Sequence, residues 1–381
     1  MSELGQIIPI QGVIKNYPWG SRQTLAIYRG QPESTEPEAE IWFGDNPNGP
    51  AKLINSEAKL DSVTRTSGQL PFLAKILAIE NSLSLQVHPA LEDIPLLLGA
   101  CQDQNHKPEM IVALSNFEAF VGFGTSEEII NTVKNLDSDL ANELIAEPLR
   151  EGASIPSVLE KILGVDDGSG ILDEVRDNLE RIDPRRAHWL NRLIDLYAPK
   201  LDPLATLLCE LVSLSPGESI YLPPRCVHAY LHGTAIEVMA NSDNVIRGGL
   251  TNKPIDKSNF LALIEKDRVA ARWIQPNSSP GIREWLPPID DFSVKELHGD
   301  IDTLLEVTHA SIAFTWSGSA EIFSESNGMD SSQQTHKSTH KSTHQLTDSV
   351  RVEHANGALL APGRYRVMGS GSLWVATGKG R

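Results

Sequence analysis

The chain has 381 residues, 40% of them hydrophobic, and a formal net charge of -17. That is apolar material for two or three packed cores and excludes a disordered chain. The excess of acid argues against nucleic acid and anionic membranes as partners, while an anionic small molecule stays open wherever a pocket gathers cations.

The opening, MSELGQIIPIQGVIKNYPWG, lacks the basic and apolar regions of a secretory leader, and no later stretch reaches the roughly 18 apolar residues of a membrane span. Three cysteines, Cys101, Cys209 and Cys226, occur without a CxxC pair, which fits a reduced, cytoplasmic setting. Up to Gly124 the chain reads as short strands broken by NYPWG, GDNPNGPA and HPA, whose Gly, Pro and Asn residues set turns. Thr125 and Glu128 form a capping-box pattern, and Ile129, Val133 and Leu136 follow at helical spacing. Leu190, Leu193, Ile194 and Tyr197 repeat that spacing, so a helical insertion is expected over 125–204. LATLLCELVSL suits helix or strand equally. Strands return with SIYLPPRCVHAYLHGTAIEVMA, a short helix is expected at FLALIEKDRV, and closing strands at GALLAPGRYRVMGSGSLWVATG. His336, His340 and His344 recur every four residues in a Ser/Thr-rich insert, where a hydrophilic loop is favoured over a metal-binding helix.

Four residues stand out as candidate metal ligands. Gln86 and His88 lie two apart in the alternating stretch NSLSLQVHPA, so on a strand both leave one face. Glu109 heads the apolar run after NHKP, and His228 follows RCV far downstream. Two imidazoles, a carboxylate and an amide suit a divalent ion of the zinc type, and a single anionic ligand leaves such an ion electrophilic. The spacing alone fits as well with hydrogen-bonded core histidines.

The stretches NYPWGS, AEIWFGDNPNGPA, LPFLAKILAIENSLSLQVHPA, DQNHKPEMIVAL, FEAFVGF and HAYLHGTAIEVMANSDNVIRGGLTNKPID together resemble the type I phosphomannose isomerases, a family of the cupin superfamily. The resemblance is strong across the β-rich regions and weak by residue in the helical block and the C-terminal segment. It departs at Glu210, where the family pattern has asparagine. It implies a mainly β fold with a helical insertion: two cupin-like jelly-roll barrels plus an α-helical domain. Residues 1–124 and 205–265 would form the catalytic jelly roll and 266–381 the second, with a low-complexity loop at 328–348. It also implies one zinc ion per chain on Gln86, His88, Glu109 and His228, and reversible interconversion of mannose 6-phosphate and fructose 6-phosphate.

Moving a carbonyl between C1 and C2 needs a base and a stabiliser for an enediol oxygen. Arg247 in SDNVIRGG is the expected stabiliser, because a guanidinium stays charged and offers a rigid fork of donors. Gly248 and Gly249 after it would allow a tight turn. Lys107 and Glu237 are the candidates for proton transfer, with Glu237 preferred and Asp243 a third choice. In a purely structural role Lys107 would neutralise Glu109, and Glu237 would partner Arg247. Ser84 and Lys253 are expected at the phosphate, and Trp19 in the pocket wall. The expected partner is a hexose 6-phosphate, and the expected state a monomer. A metal-dependent cupin oxygenase and a non-catalytic sugar-phosphate-binding cupin are the alternatives. Only two histidines count against the first, and Arg247, Lys107 and Glu237 beside a full ligand set count against the second.

Overall fold

The computed structural model describes residues 6–65, 68–97, 99–264, 269–325 and 349–378. The histidine repeat lies outside the described residues. The fold is mainly β with a helical insertion. Its strands assemble into an 11-stranded and a nine-stranded antiparallel sheet, and helices Ser126–Leu136, Ile155–Ile162, Ser169–Asp177 and Pro184–Tyr197 separate strand Phe117–Phe123 from strand Cys209–Leu214.

The helical block begins at the expected cap. Glu128 N donates to Thr125 Oγ1 at 3.2 Å and Thr125 N donates to Glu128 Oε2 at 2.8 Å, so two otherwise orphan amides are satisfied. Ile129, Val133, Leu190 and Leu193 then pack in one core with Leu85, Val87 and Phe120 of the larger sheet. This contact orients the site. Because side chains alternate along a strand, seating Leu85 and Val87 against helices turns Gln86 to the opposite face. The ambiguous run divides between its two readings. Asp202–Leu208 is a 3-10 turn buried under the helices, and Cys209–Leu214 is a strand.

Strand Phe72–Ile79 is buried along its whole length and also alternates. Phe72, Ala74 and Ile76 join a core shared with Phe314 and Trp374 of the nine-stranded sheet. Leu77 and Ile79 point the other way, into a cluster with Ile111, Tyr230 and Ala235. Within the shared core, Phe43 and Phe314 stack with centroids 4.6 Å apart. Burying each such ring contributes roughly 1.5–3 kcal/mol.

Strand His228–Ala240 belongs to both halves of the larger sheet. Its start pairs with Gln86 and with strand Phe117–Phe123, whereas from Gly233 onward it pairs with Phe72–Ile79 and then also with Glu109–Ala113. The change of partners falls at Gly233, with φ of 122°, where a Cβ would lie 2.6 Å from the Asn116 carbonyl oxygen. Only glycine fits that corner.

The nine-stranded sheet centres on the long strands Ser293–Val307, Ser311–Ser324 and Gly363–Thr377. Its second face, with Leu297, Leu305, Ile322, Tyr365 and Val367, is buried by residues of the same sheet, which therefore curls over itself. Strand Ile7–Gln11 pairs with Asn356–Leu360, so the first described strand joins the C-terminal sheet by hydrogen bonding although it precedes the strands of the larger sheet in sequence.

Candidate active site

Three segments meet where the two halves of the larger sheet diverge. Gln86 is the register partner of both His228 and Arg247 on the flanking strands, and Glu109 is the partner of Met239. His88 Nδ1 donates to the Asn244 carbonyl at 2.7 Å, and His228 Nδ1 donates to the Cys226 carbonyl at 2.9 Å. With both protons fixed on Nδ1, both Nε2 atoms are left as acceptors on the side of Glu109. The distances are 3.2 Å from His88 Nε2 to Glu109 Oε1 and 3.6 Å from His228 Nε2 to Glu109 Oε2. Gln86 Nε2 donates to His228 Nε2 at 3.1 Å, and turning this amide over would present its oxygen instead. The possible ligand atoms of His88, Glu109 and His228 all lie within 4.8 Å of one another. Two neutral imidazoles, a carboxylate and an adjacent amide make a donor set that fits a divalent ion of borderline softness. A cation already sits at the rim: Lys107 Nζ is 3.2 Å from His88 Nε2 and in contact with Glu109 Oε1.

The electrostatics agree with that reading. Burial lowers the His228 pKa to about 4, and burial together with the Lys107 ammonium lowers that of His88, so both rings are neutral donors at pH 7. Burial alone would raise the Glu109 carboxyl, but the Lys107 ammonium in contact with it outweighs that effect and holds the group well below its usual range. Tyr230 OH donates to Glu109 Oε2 at 3.1 Å, securing the second oxygen.

Gln86, Lys107 and Glu109 of this cup line a cavity of about 670 Å³, with His88 and His228 buried behind them. In a chain so rich in acid, the cavity gathers Lys15, Lys75, Lys107, Arg247 and Lys253. All the remaining candidates from the sequence line it: Ser84, Trp19, Glu237 and Asp243. Ser84 Oγ donates to Gln86 Oε1 at 3.4 Å, Trp19 stacks on Tyr17 at 5.6 Å, and Lys253 Nζ lies 5.4 Å over the Tyr17 ring. The buried partner of Glu237 is Lys75, at 2.9 Å, in place of Arg247. The register explains it, since Glu237 faces Lys75 across adjacent strands whereas Arg247 pairs with Gln86. Gly248 and Gly249 likewise lie in strand Ile246–Gly249 and form no turn. A Cβ on Gly248 would come within 2.5 Å of the Phe260 ring, so that glycine serves close helix approach.

Burial pushes the Glu237 carboxyl up to about 7, against the lowering effect of Lys75. Burial disfavours the Lys75 ammonium, but Glu237 and Glu40 (4.0 Å away) more than restore it, so the lysine stays charged. Lys75, Glu40, Tyr17 and Tyr230 are site residues that sequence reasoning missed. A lone lysine inside the apolar run FLAKILAI was the available signal, because a charge in a fully buried strand needs a partner.

Comparison with known proteins agrees with this geometry. A family model described as the catalytic domain of type I phosphomannose isomerase matches residues 7–125. The mannose-6-phosphate isomerase of Escherichia coli K12 is 29% identical over 349 residues, covering 81% of this chain and 88% of that protein. The mannose-6-phosphate isomerase of Candida albicans is 30% identical over 358 residues, covering 76% and 81%. Among solved structures, a mannose 6-phosphate isomerase bound with zinc and yttrium superposes with a TM-score of 0.80 at 24% identity, over 98% of this chain and 100% of that one. The chain belongs to the mannose-6-phosphate isomerase family of enzymes, type I.

Proposed function

We propose that this chain interconverts mannose 6-phosphate and fructose 6-phosphate, with one zinc ion held by Gln86, His88, Glu109 and His228. The observation that carries the reading is the convergence of donors from three distant segments beside a cation-lined cavity that Gln86 and Glu109 reach. Family membership and the zinc in a similar structure support it. When bound, zinc supplies a fixed positive charge that polarises the oxygens of the substrate.

The remaining work belongs to side chains. Glu237, poised by burial near neutral pH, takes the proton from C2 of the open-chain aldose. The electron pair left behind forms the C1–C2 double bond as the C1–O1 π bond opens onto O1, which takes up a proton and gives the enediol. A proton delivered from Glu237 to C1, with loss of the O2 hydroxyl proton as the C2–O2 double bond forms, gives the ketose. Lys75 holds the Glu237 carboxylate in place. Arg247 donates to the oxygen on which charge develops. Lys107 balances Glu109 and shares the metal face. Ser84 and Lys253 receive the phosphate, and Trp19 closes the wall beside Tyr17.

Turnover of mannose 6-phosphate in D2O tests the chemistry. Deuterium should enter at C1 of the fructose 6-phosphate formed. Glu237→Gln should abolish turnover; undiminished turnover in that variant would contradict proton transfer through Glu237, and absence of any turnover by the unaltered protein would contradict the substrate.

A further inference from the structure

We infer that Asn244 is a positioning residue that couples the metal-facing segments to one another. It is fully buried, and it uses every polar group it has. Its backbone carbonyl accepts the His88 Nδ1 proton at 2.7 Å, which sets the tautomer and the tilt of that ring. Its side-chain oxygen accepts from Gln102 N at 2.6 Å and Asp103 N at 3.2 Å. Its side-chain amide donates to Asn105 O at 2.8 Å, and to Asp103 O and Asp103 Oδ1 at 3.0 Å each.

The loop so gripped, residues 102–105, leads directly into Lys107 and Glu109. Asp103 completes the clasp from its side, accepting from Ser242 Oγ at 2.9 Å, Asn105 N at 2.9 Å and Asp243 N at 2.8 Å. One residue thus fixes the orientation of His88 through its main chain and the approach of Glu109 through its side chain. Only asparagine or glutamine carries an acceptor and two donors on one planar group, and only asparagine is short enough to meet the loop here. Aspartate would keep the acceptor, lose both donors and place a second carboxylate against Asp103.

This inference rests on the metal site proposed above, so its test reads zinc affinity directly. Zinc dissociation constants are measured by competition with a chromogenic chelator, alongside the melting temperature of metal-free protein. Asn244→Asp should weaken zinc binding roughly 10- to 100-fold. Adding Asp103→Asn should recover part of the loss by exchanging donor and acceptor across the clasp. Leu305→Ala, a core change in the other sheet, should lower the melting temperature and leave zinc affinity unchanged. Ser242→Ala, which removes one donor to Asp103, should show a smaller loss of affinity and carries the test if Asn244→Asp does not fold. Unaltered zinc affinity in Asn244→Asp, or in Ser242→Ala where that variant stands in, would overturn the inference. So would a loss of affinity in Leu305→Ala that tracks its melting temperature. Wild-type protein that binds no zinc would overturn the metal site itself, a distinct result.

Discussion

The two sheets share antiparallel strands with alternating faces, yet they fill their inner faces with opposite materials. In the nine-stranded sheet the inward residues are hydrocarbon almost throughout, among them Leu297, Leu305, Ile322 and Val367. In the 11-stranded sheet the equivalent face starts apolar, with Ile111, Tyr230 and Ala235, and then turns to Lys75, Glu109, Glu237 and His228. Architecture is therefore common to both, and chemistry enters where inward positions become polar. Such positions survive burial because each is answered: Lys75 by Glu237, Glu109 by Lys107 and Tyr230, and each imidazole by a backbone carbonyl.

The contrast can be broken most severely at the ligands. His228→Ala should remove zinc and lower kcat/KM for mannose 6-phosphate by at least about 10³-fold, the loss of several kcal/mol of charge stabilisation. Arg247→Ala should lower kcat by about 10²–10³-fold with zinc content unchanged, as metal analysis beside steady-state kinetics would show. Making the polar face resemble its neighbour sharpens the comparison further. Lys75→Met alone should destabilise the fold by about 3–5 kcal/mol, because Glu237 is left buried and unpaired. Combining it with Glu237→Leu should restore most of that stability in urea unfolding and leave the enzyme inactive.

A pH effect of smaller size follows from Glu237. Its folded pKa of about 7 lies above the ordinary carboxyl value of 4.5. The folded state therefore binds more protons than the unfolded one between those values, and this contribution to stability is full below pH 4.5 and lost as pH rises through about 7. Glu237→Gln should flatten that decline in melting temperature. Least of all should Leu305→Ala affect chemistry. It should cost about 2–5 kcal/mol of stability and leave kcat/KM unchanged.

Much of this was legible in the sequence. Turn-punctuated strands, the Thr125 cap and the helical spacing of Leu190 to Tyr197 are local signals, and local physics decides them. Gln86 and His88 could be placed on one face because alternation needs no knowledge of neighbours. Partners across strands were hidden, since register is set by tertiary pairing. Hence the structural role expected for Glu237 pairs it with Arg247 although it faces Lys75, and the turn expected at Gly248 is a strand position that admits Phe260. The pairing of Ile7–Gln11 with the C-terminal sheet was invisible for the same reason. Asn244 and Asp103 carry no distinguishing local pattern, and only their contacts reveal a clasp.

The most direct test of the account is a zinc titration of chelated protein, following conversion of mannose 6-phosphate to fructose 6-phosphate. Activity should be absent in metal-free protein and rise linearly to a plateau at one equivalent of zinc per chain. Full activity without metal would contradict it.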